Sequence, residues 1–270
     1  RNAVATGADI HYLAGVDNFC WCDPVQSEKT PDGHYKLAQL VRANQALAHY
    51  CLAYGVPCVS GKDSMKNDYT GGGTKISIPP TVLFSVMGVI EDCTQTMTSD
   101  FKRPGEILYV LGLTRNEIGG SEYADFLGLC GNVPQVDALA ARTRYELLHK
   151  AITQGLVTAV HDISDGGLAV AVAEMALAGR IGADLDLAAV PHLDCPLPEQ
   201  RMYSESASRF VVTVKPEHAA DFEALFAGDF MAPIGTTTES GRLILRDAQQ
   251  VLVDMDVEKL ALCWKKTLDF

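Results

Sequence analysis

The chain has 270 residues, 47% of them hydrophobic and 21% charged, with a formal net charge of −12. That length and balance suit one large or two medium globular domains with a sizeable core. The acidic excess argues against nucleic acid or an anionic membrane as the main partner, but it leaves nucleotides open, because a divalent metal can bridge carboxylates to phosphates.

In chain order, the segment Gln26–His34 is a polar loop with Asp32 as a candidate helix N-cap. From Tyr35 to Tyr54 the residues Leu37, Leu40, Val41, Leu47, Cys51 and Tyr54 fall near a helical period, and Gly55 ends that helix. Val56–Ser60 predicts a short strand with Pro57 near its start. Gly61–Lys75 is then a long polar loop with three consecutive glycines, and Pro80–Ile90 an apolar strand expected to be buried on both faces. Thr98–Glu106, with Pro104-Gly105, is the best candidate boundary before a fresh strand, ILYVLGL. A helix over Val136–Gln154, the strand VTAVHDI, a helix over Gly167–Ala178 closed by Gly179, and three later strands, SRFVVTV, MAPIGTTTE and RLILRD, follow. Pro216–Phe226 is a helix with Pro at its first position. Adjacent late strands favour two α/β or α+β domains, 1–103 and 104–270, over one doubly wound sheet.

Eight cysteines are scattered, and only Cys20 and Cys22 lie close. The absence of paired C-x-x-C spacing argues against a zinc ribbon. The pattern reads as reduced thiols, hence a cytoplasmic location. No apolar run approaches the roughly 20 residues of a membrane span, so no membrane is expected. The start, RNAVATGADIHY, has neither Met nor a signal-peptide pattern and reads as cut from something longer.

Two polar stretches at strand ends carry the chemistry. In SGKDSMKND, Gly61 permits a tight turn that presents Lys62, Asp63 and Ser64 together. A lysine beside a hydroxyl can hold a phosphate and an aspartate a metal. The spacing is not that of a Walker A loop, and an exposed, solvated Lys–Asp pair is an equal alternative. In HDISDGG, Asp162 and Asp165 stand three apart at a strand exit, and Gly166-Gly167 open a helix. Carboxylates gathered there suit a cation, and a helix N-terminus suits an anion. The alternative is plain capping, with Asp165 as the cap and Asp162 solvated. Two weaker stretches are GGSEYADF, read as a turn capped by Ser121, and SESASRF, whose Glu205 and Arg209 read as a structural ion pair.

Taken together, DNFCWCDP, YKLAQLVRANQAL, GVPCVSGKDSMKND, KISIPPTVLFSVMGVIED, DFKRPGEILYVLGLTRNEIGGSEYADFLG, VHDISDGGLAVAVAEMALAG and SESASRFVVTV closely resemble the phosphoribosylformylglycinamidine synthase family. The resemblance covers about residues 1–245, with order and spacing kept. It implies an aminoimidazole ribonucleotide synthetase-like fold of two α/β domains, the N-terminal one truncated at its start. This chain looks like the second of two homologous halves. The implied reaction joins formylglycinamide ribonucleotide, ATP and glutamine into formylglycinamidine ribonucleotide. ATP would activate the amide oxygen, and ammonia from a glutaminase domain or subunit would displace phosphate, with magnesium across the phosphates. The partners implied are the nucleotide, the ribonucleotide substrate, the remaining half of the synthetase and that glutaminase.

Residue by residue, the resemblance implies Asn2 and Asp162 as ligands of Mg2+. It implies Lys62, Asp63, Ser64, Ser164, Gly166 and Gly167 as contacts of ATP or ADP. Asn2 matches the end of an E-A-x-x-N pattern whose glutamate would precede residue 1. The catalytic histidine of the family belongs to the other half, so no catalytic residue is assigned and His161 is not expected to act as the base. The alternatives are a half that binds a structural nucleotide without turnover, or another ATP-dependent enzyme of the superfamily, such as aminoimidazole ribonucleotide synthetase.

Overall fold

A computed structural model of the protein describes residues 1–266. The chain forms two compact units, one of residues 8–89 and one of residues 1–7 together with 90–270. The short helix α1 (Asn2–Ala5) thus belongs to the larger unit, with Val4 fully buried.

The smaller unit is built on a three-stranded sheet. Its central strand β1 (Leu13–Cys20) is followed by a long helix, α2 (Gly33–Tyr54). Leu40, Ala43 and Leu47 of α2 pack on a small core of Phe19, Trp21 and Cys22. Asp32 stands at the N-cap position, but its side chain makes an ion pair with Lys36 at 3.0 Å instead of a capping hydrogen bond. Gly55 ends the helix in the left-handed region at φ 69°, where a Cβ would be strained. Strand β2 runs over Cys58–Ser64, parallel to β1. The sequence reading ended this strand at Ser60; pairing with β1 carries it through Lys62 and Asp63. A hairpin of β3 (Tyr69–Gly71) and β4 (Thr74–Ile76) turns at Gly72-Gly73, both at positive φ, within what reads in sequence as loop. Strand β5 (Thr81–Gly88) lies antiparallel to β1 at the sheet edge. It is mostly exposed, against the expectation of burial on both faces, with Leu83 and Met87 more than half exposed.

The larger unit continues with β6 (Ile107–Leu111), β7 (Thr114–Arg115), α3 (Glu122–Leu127), α4 (Ala138–Thr153), β8 (Val157–Ile163) and α5 (Gly167–Gly179). Then come β9 (Gly182–Asp186), β10 (His192–Leu193), α6 (Pro198–Tyr203), β11 (Arg209–Val214), α7 (Ala219–Leu225), β12 (Met231–Thr238), β13 (Arg242–Asp247), β14 (Gln250–Asp256) and α8 (Val257–Lys266). Seven strands form one mixed sheet in the order β14-β13-β9-β12-β6-β11-β8, which places β8 at an edge. One face carries α5, whose Leu168, Val172 and Met175 pack with Val110, Val211 and Leu243. On the other face Tyr145 of α4 meets Phe210 and Phe222 of α7 meets Tyr109, at ring separations of 5.7 and 5.0 Å. Cover on both faces is why β11 is buried at every position and reads as an almost unbroken apolar run. Ser121 caps α3 by accepting from Ala124 N–H, as the sequence suggests. Strand β9, strand β14 and helix α8 are elements that the sequence reading did not find. Residues 90–103, read in sequence as part of the first domain, pack with this unit: Phe101 is buried in its core and donates its N–H to the Met175 carbonyl. Among the described residues no helix is long and apolar enough to cross a membrane.

Candidate functional site

The site is assembled at the edge strand β8. Successive side chains of a strand leave on opposite faces, yet at this edge the ends of the His161 and Asp162 side chains still meet, 3.6 Å apart. His161 pairs in register with Val211 and turns toward α5; Asp162 pairs with Phe210 on the opposite face. Because β8 has no strand beyond it, the start of the chain can approach Asp162 from the edge. Arg1 Nε lies 2.8 Å from Asp162 Oδ2, and Asn2 Nδ2 lies 3.4 Å from Asp162 Oδ1. The two residues that the sequence nominated for metal are thus brought into contact across 160 positions. Asp162 is only 6% exposed. Burial alone would raise its pKa, but the neighbouring His161 imidazole and the charge of Arg1 outweigh it and hold the carboxyl down at about 2.

His161 bridges two carboxylates. Its Nε2 is 2.8 Å from Glu174 Oε2 and its Nδ1 is 3.6 Å from Asp162 Oδ1. Burial pulls its pKa down, yet the two acidic partners prevail and push it up to about 9. A raised histidine adds stability that is complete below its ordinary value of 6.5 and is lost as pH rises through about 9. In an imidazole NMR titration of the metal-free protein, His161 is therefore expected to stay protonated at pH 7.5, and Glu174→Gln to lower its midpoint. A wild-type midpoint at or below 6.5 would contradict this arrangement.

The loop after β8 is shaped by glycine. Gly166, at φ 77°, is the N-cap of α5, and no side chain caps the helix, so Asp165 does not take the capping role suggested by the sequence. The Gly166 N–H is instead donated to Glu205 Oε1 at 2.9 Å, and the Gly167 N–H to the Ser164 carbonyl at 3.0 Å. Glu205 therefore serves the loop and is not ion-paired with Arg209. Arg209, fully buried, gives Nε to the Ser206 carbonyl, one Nη to Thr114 Oγ1 and the other to the Ser204 carbonyl.

Lys62, Asp63 and Ser64 lie on the other unit, at the end of β2. Lys62 and Ser64 share a face and their polar ends are hydrogen-bonded; Asp63 alternates to the face of its register partner Phe19. Arg1 and Glu174 escaped the sequence reading, and Glu205 was read there only as an ion-pair partner of Arg209. The signal for Glu174 was present: it is the lone charge in the helix GLAVAVAEMALAG.

Among the described residues no group of three or more His, Cys, Asp or Glu is arranged to hold a metal. Magnesium is commonly held by one or two carboxylates, with waters and substrate phosphates completing its shell. An ionised Asp162 beside the Asn2 amide fits that smaller demand, and Arg1 is the cation that now neutralises it.

Residues 103–248 match the family described as AIR synthase related protein, C-terminal domain, and the chain belongs to that family. It is 41% identical over 222 residues, 81% of its length, to the phosphoribosylformylglycinamidine synthase subunit PurL of Alkaliphilus metalliredigens. The chain spans 27% of that relative's length. Two solved structures of PurL from T. maritima share its fold. The complex with ATP gives a TM-score of 0.69 at 20% identity, covering 96% of this chain and 39% of that one. The complex with FGAR gives 0.71 at 20% identity, covering 97% and 41%. The resemblance drawn from the seven motifs and the synthetase-like α/β fold are both borne out.

Proposed function

We propose that this chain supplies a Mg-nucleotide site to an ATP-dependent amidotransferase. That enzyme converts formylglycinamide ribonucleotide and glutamine to formylglycinamidine ribonucleotide, a ligase reaction forming a C–N bond in purine synthesis. The observation that carries the reading is the meeting of Asn2 with the buried, ionised Asp162 beside the glycine-lined start of α5. Asn2 and Asp162 would hold the magnesium, which supplies charge neutralisation to the phosphates when bound. Ser164, Gly166 and Gly167 would serve the nucleotide at the helix start, where the helix dipole favours an anion, with the Gly166 N–H released from Glu205. Lys62, Asp63 and Ser64 are assigned to nucleotide binding on the resemblance alone. The division into synthetase-like domains 1–103 and 104–270 rests on the start of the family match at residue 103, while residues 1–7 and 90–103 pack with the larger unit; the last four residues, 267–270, lie outside the described part. The remaining half of the synthetase, a glutaminase domain or subunit, and a cytoplasmic setting complete the proposal.

A second reading, a structural nucleotide without turnover, has one observation in its favour. Both ring nitrogens of His161 face carboxylates, so the nearest imidazole to the site is committed to Glu174 and Asp162.

Calorimetric titration of the chain with ADP tests the proposal. Binding is expected with Mg2+ and not with EDTA. Asp162→Asn is expected to weaken it by about tenfold or more, the scale of losses at metal sites. Lys62→Ala should lower affinity while leaving the magnesium requirement intact. Equal affinity in EDTA, or an unaffected Asp162→Asn variant, would overturn the site. Turnover of ATP by the complete enzyme, lost or retained in Asp162→Asn, separates the catalytic from the structural reading.

A further inference from the structure

Two thiols of the smaller unit meet at a turn that the fold holds on both sides. Cys51 lies in the last turn of α2 and Cys58 is the first residue of β2. Between them Gly55 takes the left-handed conformation that only a residue without a Cβ adopts readily, and Pro57 fixes its own φ. The Cys51 carbonyl accepts the Val56 N–H at 2.9 Å, and the Pro57 carbonyl accepts the Gly15 N–H of β1 at 2.8 Å. The turn is thus tied to the helix at one end and to the sheet at the other. It leaves the two sulfurs 3.7 Å apart. Of the other cysteines, Cys93, Cys130 and Cys263 are exposed, Cys20 is half-buried, and Cys22 and Cys195 are buried.

We propose that Cys51 and Cys58 form a disulfide when the protein meets a small-molecule disulfide such as oxidised glutathione, a covalent modification site distinct from the nucleotide site. Sulfurs already in contact need only small side-chain rotations to reach bonding distance, about 2 Å. Cys58 is exposed and Cys51 half-buried, so the order of events follows. The Cys58 thiolate attacks one sulfur of the glutathione disulfide; a Cys58–glutathione bond forms, the glutathione S–S bond breaks, and one glutathione thiolate leaves. The Cys51 thiol then loses its proton to solvent and attacks Cys58 Sγ. The protein disulfide forms and the second glutathione leaves as its thiolate, which takes up a proton. The protein is oxidised by two electrons and the glutathione disulfide reduced by two. Burial, and then the neighbouring Cys58, push the Cys51 thiol up to about 11, which assigns it the second step and not the first. The fixed turn favours the intramolecular second attack, because the partner is already in place.

The test uses the whole chain, incubated natively with oxidised glutathione, quenched with acid, alkylated and digested with trypsin. Residues 43–62 form one peptide that contains Cys51 and Cys58 and no other cysteine. That peptide is expected two hydrogens lighter than its reduced form, unalkylated, and free of glutathione. Cys51→Ser should trap one glutathionyl group on residue 58, and Cys58→Ser should give no bridge. A wild-type peptide that keeps a glutathionyl group without closing, or that closes only in denaturant, or that stays fully alkylatable while Cys93 and Cys130 react, would overturn the proposal. The wild-type map decides the matter even if a variant folds poorly.

Discussion

Arg209→Met is expected to destabilise the larger unit by about 3–5 kcal/mol, the lower part of the sum for three buried acceptors left unsatisfied at about 1–3 kcal/mol each. Arg209 is fully buried, and its guanidinium donates to the carbonyls of Ser204 and Ser206 and to Thr114 Oγ1. Burial and the charge of Arg1 pull its pKa down to about 10, while Glu117 and Glu205 counter that, so the group is cationic at neutral pH. Methionine fills part of the volume but leaves three acceptors without donors, each a desolvated polar group with nothing to bond. Lysine should not rescue the variant, because an ammonium cannot reproduce the planar fork that reaches three acceptors at once. The loss should spread to the site, since Arg209 holds the backbone on both sides of Glu205, and Glu205 receives the Gly166 N–H. Urea unfolding of the wild type and both variants measures this. A loss under about 1 kcal/mol, the net value of a single ordinary hydrogen bond, would show that the network is dispensable.

Gly167→Ala is the second large effect, expected at about 2–5 kcal/mol from left-handed strain together with overpacking. Gly167 sits at φ +69°, and a Cβ there would stand 2.6 Å from the Met202 carbonyl oxygen and 2.8 Å from that of Ser204. Both obstacles are backbone, so the clash is not relieved by turning a side chain. Gly166 provides the internal comparison. It too has positive φ, and its Cβ would stand 2.3 Å from Val170 Cγ2 and 2.8 Å from Val170 Cβ, so rotation of Val170 relieves only part of the clash, but no backbone atom stands in the way. Gly166→Ala is therefore expected to be the milder change. If thermal melting ranked the two in the opposite order, the close approach of the segment Met202–Ser204 to the helix start would be wrong.

The sequence made much of this legible where a short-range pattern decides the structure. The strand VTAVHDI and helices α2 and α4 followed from periodicity and from flanking glycine and polar residues. The run through Lys62 to Ser64 was misread because its strand character comes from pairing with β1, a partner more than forty residues away, and polar residues carry no apolar signal. The strand β5 was misread in the opposite sense: an apolar run reports strand propensity, and cannot say which faces a fold will cover. At the site, Asp162, Gly166 and Gly167 stood out as types in a pattern. Their partners did not, because Arg1, Glu174 and Glu205 are ordinary charges until the fold sets them beside β8. The fate of Glu205 illustrates the limit: four residues from Arg209, it suggests an ion pair, while the observed turn sends its carboxylate to a backbone N–H instead.

The discontinuous make-up of the larger unit bears on how the protein comes to be folded at the ribosome. Residues 1–7 dock on the same unit as residues 90–270, and the whole of residues 8–89 is synthesised between them. Arg1 and Asp162 are separated by 161 positions. At translation speeds of roughly 5–20 residues per second, α1 must wait about 8–30 s for the strand that receives it. The smaller unit, complete in itself by residue 89, can form during that interval and holds the waiting segment on a short tether. The contact that unites Asn2 with Asp162 thus waits on β8 and on β11, the one strand to which β8 is hydrogen-bonded. A pulse of proteolysis on stalled nascent chains should cut within residues 1–7 until residue 214, the end of β11, has cleared the ribosome exit, and spare that segment afterwards.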